Sequence, residues 1–153
     1  MYGPRHHSMR MPSINNNANS LQLQIDGAHQ EVHDEMLNRG LPFIVAVFAD
    51  WCGHCNRLTQ AQPGNKVSEW DKFLNSSPKY LGDTPIIWMD YDVMSKLAGN
   101  KECEFGRMLA ASASSFPFIS VAKKDTLNNK ISVHVYDGTY PMTASSIRAF
   151  LQS

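Results

Sequence analysis

The sequence predicts a single α/β domain in which a central mixed β-sheet is flanked by helices. Strand-like and helix-like segments alternate in the order βαβα and then ββα. The 153 residues, 42% of them hydrophobic, suffice for one core and are too few for two ordinary domains. We expect the folded domain to span residues 21–153. Residues 1–20 are rich in Asn, Ser, His and Pro, so we expect them to form a disordered tail.

The first half of the domain contains two predicted strands and two predicted helices. LQLQI at 21–25 alternates apolar and polar residues as a half-buried strand does, and residues 28–40 have helical periodicity. FIVAVF at 43–48 is apolar on both faces, which is typical of a central strand covered by helices. Residues 52–74 favour a long helix with a kink or break at QPG, residues 62–64, because proline lacks a backbone donor.

The second half contains three predicted strands and further helices. TPIIWMDYD at 84–92 is the next strand, and residues 94–112 indicate one or two short helices. FPFISVA at 116–122 and ISVHVYDG at 131–138 predict a hairpin across the polar loop KKDTLNN. The final helix, TASSIRAFLQS at 143–153, begins with a threonine that we expect to be its N-cap.

Charge and hydropathy argue against several classes of function. Fourteen basic and fourteen acidic residues leave a net charge of zero, so nothing indicates a partner such as nucleic acid or an anionic membrane. No apolar run approaches the roughly 20 residues of a membrane helix, and the N-terminus lacks the apolar core of a secretory signal. We therefore expect a soluble, cytoplasmic protein, or one from a secretory compartment if this chain is truncated.

The residues that most clearly indicate a chemical activity are Cys52 and Cys55, which are separated by Gly53 and His54. A structural zinc site also uses this spacing, but it needs two further ligands and Cys103 is the only other cysteine. We therefore expect no metal. A pair placed after a buried strand, at the start of a helix, has Cys52 near unpaired N–H groups and the positive end of the helix dipole. That environment favours the thiolate of Cys52.

Such a pair can exchange disulfides without a dissociable cofactor. The thiolate of Cys52 attacks a disulfide, and Cys55, one turn further along, resolves the mixed disulfide by attack within the molecule. We expect Gly53 to permit a tight turn, His54 to stabilise the thiolate when protonated, and Trp51 to shield the pair and contact substrate. The alternatives are that Trp51 is a core aromatic residue and that His54 is a solvated helix residue.

Three segments of the sequence resemble the thioredoxin superfamily. FADWCGHC is similar to its active-site segment, in the form typical of protein disulfide isomerase domains, and SSFPFISV resembles the segment with a cis-proline, here Phe116 and Pro117. YDGTYPMTASSIRAFL looks like the last strand, the glycine near the active site, here Gly138, and the last helix. The resemblance covers residues 21–153 and implies a thioredoxin-like fold, with substrate pairing to the backbone before the proline.

The resemblance also implies a function, a protein thiol-disulfide oxidoreductase. Its partners would be proteins with thiols or disulfides, and a thiol reductant or oxidant system such as a reductase, glutathione or a partner oxidase. The direction of electron flow stays open, because His54 favours an oxidant or isomerase and the missing signal favours a reducing cytosol. The alternative is a redox-inactive binding module, against which the intact CGHC motif argues.

The sequence departs from the family in its buried charges. Members usually bury a carboxylate six positions before the first cysteine, with a lysine on the next central strand, where this chain has Ala46 and Trp88. Deprotonation of Cys55 would then depend on water, or on an acid such as Asp50 or Asp90. We expect slower turnover than in a typical member, with the first attack less affected.

Two segments, 61–83 and 94–114, are longer than in the minimal family fold. We therefore expect helical insertions at both places. The second segment carries Cys103, for which two interpretations stay open. It is either a regulatory thiol at the border of the active site or a partly buried structural cysteine.

Overall fold

The computed structural model describes residues 22–24 and 36–153, which form a five-stranded mixed sheet with helices on both faces. The sheet order is β1, β3, β2, β4, β5; the first three of these are parallel, and β4 is antiparallel to β2 and to β5. The strands are β1 (Gln22–Gln24), β2 (Phe43–Phe48), β3 (Ile86–Asp90), β4 (Phe118–Asp125) and β5 (Lys130–Val135). The predicted five strands and mixed sheet are confirmed.

Five helices surround the sheet in the part of the chain that follows β2. They are α1 (Gly53–Thr59), α2 (Glu69–Leu81), α3 (Tyr91–Ala98), α4 (Glu104–Ser112) and α5 (Ala144–Leu151). Residues 36–38 are also helical and residues 39–40 form a turn, whereas residues 28–35 of the predicted helix and the tail predicted at 1–20 lie outside the described residues. Within the described ranges, no helix is long and apolar enough to cross a membrane.

The structure has two separate helices where the sequence predicts one helix with a kink or break over residues 52–74. The non-helical segment between them is several residues long. α1 ends at Thr59, before Pro63 and Gly64, and the chain becomes helical again only at Glu69. The new start is fixed by an N-cap, because the hydroxyl of Ser68 accepts a hydrogen bond from the N–H of Asp71 at 3.0 Å.

The second of these helices, α2, extends past the predicted end and contains Pro78. A proline there cannot donate to the carbonyl of Leu74, four residues earlier. The buried hydroxyl of Ser77 donates to that carbonyl instead, at 2.9 Å. The replacement keeps the carbonyl satisfied, so α2 continues to Leu81 and fills the insertion predicted at 61–83.

Two predicted strand ends are also shifted. β3 ends at Asp90, because this residue is the N-cap of α3 and accepts from the N–H of Asp92 at 3.4 Å. β4 continues to Asp125, into the predicted loop KKDTLNN. There Lys124 is nearly buried, and its ammonium group lies 2.6 Å from the carboxylate of Glu104 in α4. Because the ion pair neutralises the nearly buried charge of Lys124, β4 can keep alternating buried and exposed residues through its charged end.

The sheet separates two apolar layers. α1, α2 and α5 pack on one face, where the buried residues include Ala46, Phe48 and Trp88 from the strands and Cys55 from α1. α3, α4 and residues 36–37 pack on the other face, against alternate residues of the same strands. β2 is buried at every position because both of its faces are covered, as the uninterrupted apolar run predicts.

The last helix, α5, is held by hydrogen bonds to itself and to α2. Thr143 is its N-cap, as predicted, and forms a capping box with Ser146. A carboxylate oxygen of Glu69 accepts from the N–H of Ala144 at 2.9 Å, and Arg148 donates to the hydroxyl of Ser76 at 2.9 Å. A negative charge at the start of α5 also suits the positive end of this helix.

Replacing Glu69 with Gln is expected to lower the free energy of unfolding by about 1–2 kcal/mol near neutral pH, because its hydrogen bond to α5 loses its charge. Hydrogen bonds from Ala144 and then from Lys72 lower the pKa of Glu69 in the fold. The contribution is therefore present above the unfolded pKa of about 4.3 and is lost as the pH falls through the folded value.

Urea unfolding of both proteins near neutral pH and near pH 3 measures this effect, and the difference should shrink at about pH 3. Lys72→Gln is the control, because Lys72 is 45% exposed and its ion pair with Glu69 contributes at most about 1 kcal/mol. A Glu69→Gln effect of equal size at both pH values would contradict the explanation.

Candidate active site

The two cysteines lie at the carboxyl end of β2, where a turn leads into α1. The N–H of Cys52 donates to the carbonyl of Ala49 at 3.1 Å, and the amide side chain of Asn56 donates to the carbonyl of Asp50 at 3.0 Å. Cys52 is the N-cap of α1, and its sulfur accepts from the N–H of Cys55 at 3.4 Å. Both cysteines are free thiols in this structure.

The thiol of Cys52 is partly exposed and lies beside the start of β4. It donates a hydrogen bond to the carbonyl of Phe116 at 3.3 Å. The peptide bond between Phe116 and Pro117 is cis, at the position where the sequence predicts one. β4 brings these residues to the cysteine because it is antiparallel to β2, with Phe118 opposite Val47.

The thiol of Cys55 is in a different environment. It is 1% exposed, and its sulfur accepts a hydrogen bond from the N–H of Ala49 at 3.4 Å. Burial raises the pKa of Cys55 far above that of an ordinary thiol, although the hydrogen bond from Ala49 opposes this shift. The Cys52 thiol and the charge of Asp90 raise the pKa further. Proton loss from Cys55 is therefore unfavourable while these charges are present.

The two strand positions at which the sequence resemblance implies a buried charge pair hold apolar side chains. Ala46 and Trp88 are opposite each other in the register of β2 and β3, and both are buried in the same layer as Cys55. The indole of Trp88 also contacts Trp70 edge to face, at 6.0 Å between ring centroids. Aromatic side chains thus share the buried layer that contains the Cys55 thiol.

An aromatic cluster of Trp51, Tyr91 and Phe116 lies on one side of Cys52. The three rings pack edge to face, with centroids 5.8 Å apart for Trp51 and Tyr91, 5.9 Å for Trp51 and Phe116, and 5.3 Å for Tyr91 and Phe116. Trp51 is 64% exposed, so the alternative of a core tryptophan is wrong. The sequence pattern does not identify Tyr91 as part of this cluster, because it predicts a strand over residues 84–92, whereas Tyr91 begins α3.

A second aromatic group lies on the other side of the pair and includes His54. The rings of His54 and Tyr140 are 5.9 Å apart, and Tyr140 contacts Tyr136 at 5.7 Å. Burial raises the pKa of Tyr140, as do the charges of Tyr136 and both active-site cysteines. Sequence reasoning missed Tyr140, although it stands two residues after Gly138 in the segment that carries the resemblance.

His54 is exposed on α1, in contact with Arg57. The guanidinium of Arg57 lies 2.8 Å from Nδ1 of His54, and a guanidinium can only donate. Nδ1 of His54 is therefore the acceptor in this contact. The stabilisation of the Cys52 thiolate by a protonated His54 stays a prediction.

The two predicted glycines have different surroundings. A side chain on Gly138 would meet the ring of Tyr136 at 2.6 Å, so only glycine fits against this ring. Gly53 begins α1 without a positive φ, and no described atom lies within 4 Å of the position of a Cβ. This backbone therefore also suits other residues, and the role of Gly53 in permitting the turn into α1 stays a prediction.

Cys103 does not border the site. It is fully buried in the layer on the opposite face of the sheet from Cys55, and its sulfur accepts from the N–H of Gly106 at 3.3 Å as the N-cap of α4. This environment is that of a structural cysteine, so the interpretation as a regulatory thiol at the active site is wrong. Among the residues that the structure describes, no three His, Cys, Asp or Glu side chains are grouped as metal ligands.

The chain matches no protein-family model and no curated protein sequence. Its structure is similar to that of the Trx4 domain of ERdj5, with 15% identity over 88% of this chain and 94% of that chain and a TM-score of 0.51. A thioredoxin from Trichomonas vaginalis shares 22% identity over 84% of this chain and 93% of its own, with a TM-score of 0.46. The likeness to the Trx4 domain shows the fold alone, which is thioredoxin-like, as the sequence predicts.

Iodoacetamide is expected to modify Cys52 in the native reduced protein and to leave Cys55 and Cys103 unmodified. The reason is access, since Cys52 is partly exposed whereas Cys55 and Cys103 are 1% and 0% exposed. Mass spectrometry of proteolytic peptides identifies the labelled residue, and the protein unfolded in guanidinium, with all three thiols labelled, is the control. Equal labelling rates for Cys52 and Cys55 in the native protein would contradict the assigned burial.

Proposed function

We propose that this protein is a thiol-disulfide oxidoreductase that acts on protein substrates through Cys52 and Cys55. The observation that supports it most is the asymmetry of the pair, with one accessible thiol and one buried thiol joined by a hydrogen bond at the start of α1. Attack on an external disulfide needs an accessible sulfur, and resolution needs a second thiol that substrates cannot reach. The thioredoxin-like fold is compatible with this chemistry.

In the proposed reaction the Cys52 thiolate attacks one sulfur of a substrate disulfide. A bond forms between Cys52 and that sulfur, and the other substrate sulfur leaves as a thiolate. The Cys55 thiolate then attacks Cys52, the enzyme disulfide forms, and the substrate leaves with both of its sulfurs reduced. A thiol reductant restores the pair, and the same steps in reverse, with an oxidant system, insert a disulfide into a substrate. No dissociable cofactor takes part.

We propose that protein substrates bind along the surface formed by Trp51, Phe116, Pro117 and Gly138. The exposed indole of Trp51 offers a flat apolar contact beside the attacking sulfur, and Phe116 packs against it at 5.9 Å. The main chain at Phe116 and Pro117 would pair with an extended substrate segment, in a short form of strand addition. Because Gly138 has no side chain, the ring of Tyr136 can pack against it at the edge of this surface.

Slow resolution is part of the proposal. Ala46 and Trp88 supply neither a carboxylate nor an amine near Cys55, whose proton must nevertheless leave before the second attack. The first attack depends on Cys52, which accepts the N–H of Cys55 and lies outside the buried layer. Resolution of the mixed disulfide would therefore limit turnover more than its formation does.

Replacing Cys55 with Ser is expected to trap the mixed disulfide between Cys52 and a protein substrate, because the resolving thiol is absent. The reduced variant is mixed with a disulfide-bonded protein such as insulin, and non-reducing electrophoresis with mass spectrometry detects the adduct. A dithiothreitol chase should release the substrate.

Cys52→Ser is the matched control and should form no adduct, while Cys103→Ser should behave as the native protein does. If Cys55→Ser forms no adduct and the native protein does not reduce insulin, the oxidoreductase proposal fails. The exposed aromatic cluster would then favour the alternative, a redox-inactive module that binds protein partners.

A further inference from the structure

The proposed reaction leaves one question of chemistry, namely which group accepts the proton of Cys55. The thiol is buried, and its environment raises its pKa, so water at neutral pH is a poor acceptor. The strand positions used elsewhere in the family are occupied by Ala46 and Trp88. A carboxylate that reaches the thiol must therefore come from a different part of the fold.

β3 places Asp90 on the side of the sheet where Cys55 lies. Side chains of a strand alternate between its faces, so Asp90 shares a face with Trp88, which is buried in the same layer as Cys55. Asp90 is also opposite Phe48 at the end of β2, from which the chain turns directly into the cysteine pair. Its side chain is nearly buried, with 9% exposure. Asp90 thus lies at the strand end next to the resolving thiol.

An electrostatic coupling supports the same placement. The charge of Asp90 is one of the causes that raise the pKa of Cys55, so the two groups interact. Cys52, the N-cap of α1, and Tyr140, which precedes α5, also interact electrostatically with Cys55. Asp50 is adjacent to the pair along the chain and is the competing carboxylate.

We propose that Asp90 is the proton acceptor for Cys55, in a position on β3 that replaces the carboxylate missing from β2 at Ala46. The inference rests on the proposed function. In the resolving step the proton passes from the Cys55 thiol to the carboxylate of Asp90, and the Cys55 thiolate forms a bond with the sulfur of Cys52. The bond between Cys52 and the substrate breaks, and the substrate sulfur leaves with the electron pair and then takes a proton from water.

The electrostatic interaction between Cys55 and Asp90 explains why a proton transfer between them suits a buried site. Negative charges at Cys55 and Asp90 would repel each other, so the Cys55 thiolate is unfavourable while Asp90 is ionised. When the proton moves from one to the other, only one negative charge is present before and after the step. The Cys55 thiolate is then formed only when it is needed for attack on the mixed disulfide.

Asp90 also has a structural role as the N-cap of α3, and the test must separate the two roles. Asn and Asp are equally good N-caps, so Asp90→Asn keeps the cap and removes the carboxylate. Asp92→Asn removes an exposed carboxylate from the first turn of the same helix and is the matched control. Asp50→Asn tests the competing acid.

The reduced full-length protein is mixed with dithiobis(nitrobenzoate), a small aromatic disulfide, in a stopped-flow instrument. Attack by Cys52 releases the first coloured thiolate, and resolution by Cys55 releases the second, so the two steps are measured separately. Asp90→Asn is expected to slow the second phase by at least about tenfold near neutral pH, as loss of a general base does. The first phase should change less than about twofold, within the range of small electrostatic effects.

The pH profile of the second phase distinguishes proton transfer from a structural effect. In Asp90→Asn the rate should rise continuously with pH, because hydroxide becomes the acceptor, whereas Asp90→Glu should retain the native profile. If the Asn variant is not folded by circular dichroism, Asp90→Ser, which also keeps a capping oxygen, takes its place.

Slowing of the second phase in Asp50→Asn instead of Asp90→Asn would overturn the inference and identify Asp50 as the acceptor. Equal second phases in all variants would also overturn it and leave water as the acceptor. If the native protein releases no coloured thiolate from Cys52, the proposed function itself fails. A normal first phase with an unaffected second phase in Asp90→Asn refutes only the role of Asp90.

Discussion

Burial of the Cys55 thiol is the constraint on which the rest of the site depends. The central strand β2 is covered on both faces, so a helix that starts at its end must place its inward residue in the core. Cys52, at the N-cap, stays partly exposed, whereas Cys55, three residues later, is 1% exposed. Two chemically identical side chains thereby differ in access, and burial raises the pKa of Cys55. That difference provides the separate attacking and resolving thiols of the proposed reaction.

The sheet brings together the groups around this pair from segments far apart in sequence. β3 is parallel to β2, so its carboxyl end delivers Asp90 and Tyr91 to the edge where the cysteines lie. β4 is antiparallel to β2, so the segment just before its start, rather than after its end, meets Cys52, at the carbonyl of Phe116. The aromatic surface and the nearby carboxylate therefore follow from strand direction, as the positions of the cysteines do.

Much of this arrangement could be predicted from sequence, because apolar runs and the CGHC motif are local signals. The end of β3 and the length of α2 could not, since they depend on a cap at Asp90 and on Ser77, which satisfies the carbonyl freed by Pro78. The contact between His54 and Arg57, one helical turn away, could not be predicted either. Hydrogen bonds of this kind depend on the positions of individual side chains, which the hydrophobic pattern of the sequence does not specify.

The most direct measurement is the redox equilibrium of the cysteine pair. The native protein is equilibrated in glutathione buffers of graded potential, and alkylation followed by mass spectrometry counts the free thiols of Cys52, Cys55 and Cys103. A single two-electron transition that links Cys52 to Cys55, with a midpoint between about −270 and −180 mV, is the predicted result. Cys103 should stay reduced throughout. If Cys52 and Cys55 form no internal disulfide at any potential, disulfide exchange by this pair is contradicted.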